Sequence, residues 1–287
     1  MQPEESEILY EYAHIASEYA GMDLVGFIKG TVSLDGLDRT FAEWIITGLC
    51  DCTVFDILKK NNIYPDYIAG YSLGLNNACY CSGAITLEDS VTILKGVISS
   101  IRRVLDSDIR YGMGVIIGLE LQTVLGLIDR YSSFERVTVS SVNTDTFITL
   151  SGVLDDVNII LGKAFEEGAI KLIPLDVPCA FHSSLMSDFS SDYFKNITKF
   201  KYRDITVPIV SVYDQKILTS AEDILKEQQR NFLECMKWKN TIRYLETQGV
   251  DEFWDMSVLS AMKKSSHLSE PQSKFKTIKS IRKSGGK

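Results

Sequence analysis

The run Gly70-Tyr71-Ser72-Leu73-Gly74 constrains this chain more than any other feature, because of what flanks it. Tyr67-Ile68-Ala69 ahead of it reads as a short buried strand, and the segment behind it, as far as Ser82-Gly83, reads as a helix. A strand that enters a helix through so tight a turn lifts the central serine out of the sheet, with glycines permitting the bend. Serine is a poor nucleophile unless its hydroxyl is exposed, close to a base and flanked by backbone N–H groups that receive developing negative charge. The N–H of Leu73 is placed to serve as one of these. The pattern alone arises by chance in roughly one chain in ten of this length. Its position between strand and helix gives it weight against an ordinary turn serine.

A base is also required, and the chain has three histidines. His14 falls in the first helical stretch and His267 near the basic end. His182 follows a strand ending at Pro178, on a loop where a cleft between two lobes would lie. The competing reading is a loop histidine satisfied by neighbouring backbone.

At 287 residues, 45% of them apolar and 24% charged, the chain can bury one large domain or a large domain carrying a smaller one. No run approaches eighteen apolar residues, so neither a membrane span nor general disorder is expected. Met1 to Ser6 is acidic and polar rather than signal-like, which makes the cytoplasm the expected location. A net charge of −8 argues against a nucleic-acid partner. Cys50, Cys52, Cys79 and Cys81 form C-x-C pairs without the spacing or histidines of a zinc site, and with Cys179 and Cys235 they read as reduced thiols. No metal is expected.

Apolar spacing near three and four predicts helices over 7–30 and 41–61. Thr86-Leu87-Glu88-Asp89 resembles a capping box ahead of a helix striped by Leu94, Ile98, Ile101 and Leu105. From Tyr111 to Pro178 the order is strand, helix (122–131), hairpin (137–142 and 146–151), helix (157–167) and strand (171–177), a ferredoxin-like β-α-β-β-α-β unit. Beyond it lie a strand over 207–212, a helix from Ala221 to Trp238 and a strand over 252–256. The stretch from Lys263 to Lys287 holds eight Lys or Arg among few apolar residues and reads as a solvated, disordered tail.

Gly-Tyr-Ser-Leu-Gly, Gly83-Ala84 beyond it, Gly-Met-Gly-Val-Ile-Ile-Gly-Leu and Val-Pro-Cys-Ala-Phe-His-Ser-Ser-Leu-Met, in that order, together resemble malonyl-CoA:acyl-carrier-protein transacylases and polyketide synthase acyltransferase domains. The similarity extends over roughly residues 20 to 260. It implies an α/β fold, with a large α/β-hydrolase-like domain over 1–110 and 178–262 and a small ferredoxin-like α+β subdomain over 111–177. It implies that Ser72 takes an acyl group from a thioester, that His182 is its base, and that Leu73 supplies an oxyanion N–H. The family's histidine is oriented by a backbone carbonyl. Tyr71, Val97, Asn143 and Phe181 are implied to border the substrate. The substrates implied are acyl-CoA and a phosphopantetheinyl-carrier thioester, with an acyl carrier protein as partner, no bound cofactor and no membrane. Arg102-Arg103, Lys171 and the tail are candidate basic contacts for an acidic carrier.

The chain departs from the family's pattern in four places. Tyr71 stands where the family has histidine. The opening strand ending G-Q-G-S-Q lies outside this sequence, so the central sheet is expected to be a strand short and the oxyanion site one partner short. Counting from Ser72 without gaps, Val97 falls where malonyl-transferring members carry arginine; Lys95, two residues earlier, would face about 200° away on a helix. Malonyl is therefore disfavoured against a neutral acyl group, since a carboxylate desolvated without a cation is costly. The form Ala180-Phe181-His182-Ser183 is associated with malonyl preference and points the other way. Finally, no G-P-G-K turn follows the strand at Asp255, which leaves the orienter of His182 unassigned. Two rival readings stay open on sequence: an acyl-thioester hydrolase on the same scaffold, and a catalytically impaired docking or scaffold subunit.

Overall fold

A computed structural model of the protein describes residues 3–257, 260–267 and 273–284. The single helix expected at the start is two, α1 (Pro3–Ala20) and α2 (Leu24–Lys29). Gly21, at φ 75°, breaks the first, and Asp23 starts the second by accepting a bond from the Gly26 N–H. The next helix, α3 (Gly36–Lys60), closes at Asn61 and Asn62, the latter in the left-handed region at φ 58°. The turn at Ser72 leads into α4 (Gly74–Cys81). A complete capping box between Thr86 and Asp89 then opens α5 (Leu87–Leu105), which buries Leu94, Ile98 and Ile101 while Leu105 is exposed.

The small lobe follows as β1 (Tyr111–Ile117), α6 (Leu121–Tyr131), β2 (Val137–Val142), β3 (Phe147–Val153), α7 (Leu154–Glu166) and β4 (Lys171–Leu175). Its antiparallel sheet has the order β2-β3-β1-β4, the ferredoxin-like arrangement that the alternating pattern predicts. Val124, Ile128, Val157 and Ile160 of the helices pack on Ile116, Ile148 and Leu150 of the sheet. Burying one such side chain contributes about 1.5–3 kcal/mol, so this cluster gives the lobe a core of its own.

The chain returns through a 3₁₀ turn (Ser184–Phe189), α8 (Ser191–Ile197), the short hairpin β5 (Ile209–Val210) and β6 (Ile217–Leu218), α9 (Ala221–Leu233), α10 (Trp238–Thr247), β7 (Glu252–Asp255), α11 (Ala261–His267), β8 (Lys274–Thr277) and α12 (Ile278–Ser284). The helix expected from Ala221 to Trp238 is interrupted because Glu234 turns extended and Met236 joins the edge of β2. There the Met236 N–H donates to the Ser140 carbonyl, and the Val142 N–H donates to the Met236 carbonyl.

The large lobe is mainly helical. Ile68, just ahead of the serine turn, makes one parallel bridge to Ile209, and the strand expected over 207–212 is reduced to two residues. The basic end is not the disordered tail its charge suggests: Lys274–Thr277 pairs in parallel with Glu252–Asp255, and Phe275 stacks on Phe253 at 4.9 Å. The alternation of lysine with Phe275 and Thr277 is a strand pattern that the charge count obscured. The remainder of that stretch, 268–272 and 285–287, lies outside the described residues, as do Val258 and Leu259 of the late turn. No helix among the described residues is long and apolar enough to cross a membrane.

Candidate active site

The two glycines of the serine turn do different things. A Cβ on Gly70 would lie 2.4 Å from the Leu75 Cα, a collision with backbone that no rotamer relieves. One on Gly74 would meet nothing within 4 Å, so the bend needs only the first glycine. Ser72 sits at φ 53°, a conformation that costs a non-glycine residue about 1–3 kcal/mol and persists only when its surroundings impose it. The Ser72 carbonyl accepts from the Leu75 N–H at 3.0 Å, while the Leu73 N–H has no backbone acceptor among the described residues and stands at the positive end of α4, suited to developing negative charge.

His182 also lies in the left-handed region, at φ 59°, and is buried. Its Nε2 is 2.8 Å from Ser72 Oγ, so a neutral ring accepts the serine proton there. Burial pushes the imidazole down to about 4, which keeps it neutral near pH 7. The Asn231 carbonyl beside the ring opposes that shift, though it stands short of well-formed bonding geometry and leaves the buried Nδ1 without a close partner among the described residues. The same turn of α9 holds the backbone, the His182 N–H donating to the Phe232 carbonyl at 3.1 Å. His14 is exposed on α1.

The small lobe grips the residue ahead of each of these two. Tyr71 donates its hydroxyl to Ser141 Oγ at 2.9 Å, and Ser141 donates in turn to Asn143 Oδ1. Ser151 Oγ–H donates to the Phe181 carbonyl at 2.6 Å. The Tyr71 ring meets Trp238 edge-on at 5.6 Å, and Phe181 meets Phe232 and Trp44 in the same way. Tyr71 and Asn143, expected beside substrate, are thus linked to each other through Ser141. Val97 packs into the core that also takes Leu73 and Phe181, whereas Lys95 is exposed. Sequence reasoning missed Asn231, Ser141, Ser151 and Trp44. Two serines on an alternating hairpin and an asparagine in a polar helix carry no local signal of a long-range bond.

No family model matches the chain. Among curated proteins it is 25% identical over 225 residues to the malonyl CoA-acyl carrier protein transacylase of Staphylococcus aureus, covering 77% of this chain and 73% of that one. It is 29% identical over 223 residues to the polyketide biosynthesis protein PksE of Bacillus subtilis, covering 76% of this chain and 28% of that larger protein. Among solved structures, the malonyl CoA-acyl carrier protein transacylase of Coxiella burnetii superposes with a TM-score of 0.86 at 22% identity, over 95% of this chain and 86% of that one. The acyl-carrier-protein S-malonyltransferase of Burkholderia pseudomallei gives 0.87 at 18% identity, over 97% and 91%. The chain resembles malonyl CoA-acyl carrier protein transacylases in sequence and shares their fold. Tyr71, expected as a departure from that resemblance, is tied to the small lobe, and the side of Asn231 facing the imidazole is a backbone carbonyl.

Proposed function

We propose that the protein transfers an acyl group between coenzyme A and an acyl carrier protein through an ester on Ser72, in fatty acid or polyketide synthesis. The observation that carries this reading is the 2.8 Å contact between Ser72 Oγ and a buried, neutral His182 Nε2. Ser72 Oγ attacks the thioester carbon while its proton passes to Nε2, and the Leu73 N–H stabilises the oxyanion. The C–S bond breaks and the departing thiolate takes the proton from His182. A second phosphopantetheine thiol then gives its proton to His182, attacks the ester and releases Ser72, which recovers the proton.

The acyl group is one without a second carboxylate. Val97 lies inward and Lys95 outward, so the position implied for carboxylate recognition offers an apolar side chain. A carboxylate desolvated there without a cation would cost several kcal/mol.

Intact mass after exposure to a panel of acyl-CoAs tests both statements. Neutral acyl groups are expected to add to the wild type and not to Ser72→Ala, with malonyl adding least, and holo carrier protein should then remove the adduct as acyl-carrier. Release as free acid instead would make the protein a thioester hydrolase. A serine-directed fluorophosphonate that fails to label the wild type would make it a non-catalytic docking subunit.

A further inference from the structure

The structure assigns a positioning role to the side chain of Asn231, a role that rests on Ser72 being the acylated nucleophile. The Asn231 Nδ2–H donates to the Ser72 carbonyl at 3.2 Å, and its Oδ1 accepts from the Tyr213 hydroxyl at 2.8 Å. A carbonyl can only accept, so the amide has one workable orientation, with nitrogen toward Ser72 and oxygen toward Tyr213. Tyr213 is itself fixed: it is almost wholly buried, and the Arg230 guanidinium lies 4.8 Å above its ring while pairing with Asp214 and Glu234 at 3.1 and 2.9 Å. The far end of the bond to Ser72 is thereby anchored.

One residue thus faces both partners of the dyad. Its side chain holds the backbone of the nucleophile, which occupies an unfavourable φ, and its carbonyl lies beside the ring of the base. A shift of the Ser72 turn relative to the end of α9 changes the distance between Oγ and Nε2 directly. The amide touches neither hydroxyl nor imidazole, so its contribution is to set their separation. Small displacements of reacting groups are costly in rate, which makes this bond visible in turnover rather than in affinity.

Asn231→Asp is the informative variant. It keeps the shape and the bond from Tyr213 but turns an acceptor toward the Ser72 carbonyl. Fluorophosphonate labelling of the intact protein reads the consequence. The maximal labelling rate at pH 8 is expected to fall at least about tenfold, with half-saturation within twofold of wild type. An N231D protein that labels at the wild-type rate, or whose half-saturation shifts as much as its maximal rate, overturns the assignment. If N231D does not fold, Tyr213→Phe decides: a slower maximal rate at unchanged half-saturation supports the clamp, and an unchanged rate overturns it. A wild type that is unlabelled, or labelled equally in Ser72→Ala, removes the nucleophile reading and the assignment with it; a labelled wild type with an unaffected N231D removes the assignment alone.

Discussion

Along β1 the small lobe pairs seven consecutive residues with β3, from Tyr111 opposite Val153 to Ile117 opposite Phe147, whereas the segment that delivers Ser72 pairs one residue, Ile68, with Ile209. The first region owes its order to a repeated backbone ladder over a core of its own. The second holds two strained residues in register through a handful of side-chain and turn bonds reaching 30 to 159 positions along the chain. A ladder tolerates loss of any single side chain. The dyad has no such redundancy, so single substitutions near it should be felt out of proportion to their size.

The largest expected effect is that of His182→Ala, which should slow acyl-enzyme formation roughly 10³-fold, as loss of a general base does, and leave amide exchange in the small sheet unchanged. Equal disturbance of both lobes would erase the contrast. Gly70→Ala should destabilise the protein by about 3 kcal/mol in chemical unfolding, since its Cβ meets Leu75 backbone. Ser151→Ala leaves the Phe181 carbonyl short of its donor and should cost about 1–3 kcal/mol, with a slower acylation rate as the sign that the small lobe supports the base. The pH profile sharpens the point further. The base works when neutral, and burial sets His182 at about 4, so acylation should stay level from pH 7.5 to 5.5 and fail only as pH drops toward 4. A histidine at its ordinary value would lose about tenfold over that interval. The smallest effect is that of Gly74→Ala, expected to raise stability by about 0.5 kcal/mol in thermal unfolding, because the site has room and lies at the start of a helix.

What the sequence made legible follows the same division. The small lobe could be read because strand alternation and helical spacing are local, and Thr86 with Asp89 announced α5 for the same reason. Ser72 and His182 could be singled out because the first sits in a recognisable turn and the second is one of only three histidines in the sequence. Residues 226–231, Lys-Glu-Gln-Gln-Arg-Asn, look like the solvated face of a helix, yet Glu227 and Gln228 are buried and Asn231 is bonded to the Ser72 carbonyl. Hydropathy cannot reveal a polar residue whose partner lies on another element. The basic end misled in the opposite sense: counting charges hid the one aromatic, Phe275, that docks it.

The strand-like contact of Met236 with β2 has a mechanical consequence. It fastens the end of α9 to the edge of the small lobe by backbone bonds, while Ser141 and Ser151 fasten Tyr71 and Phe181 to the same lobe. A hinge swing that preserves these links carries hydroxyl and imidazole together as one rigid cargo. Relative motion of the lobes therefore need not separate Ser72 Oγ from His182 Nε2.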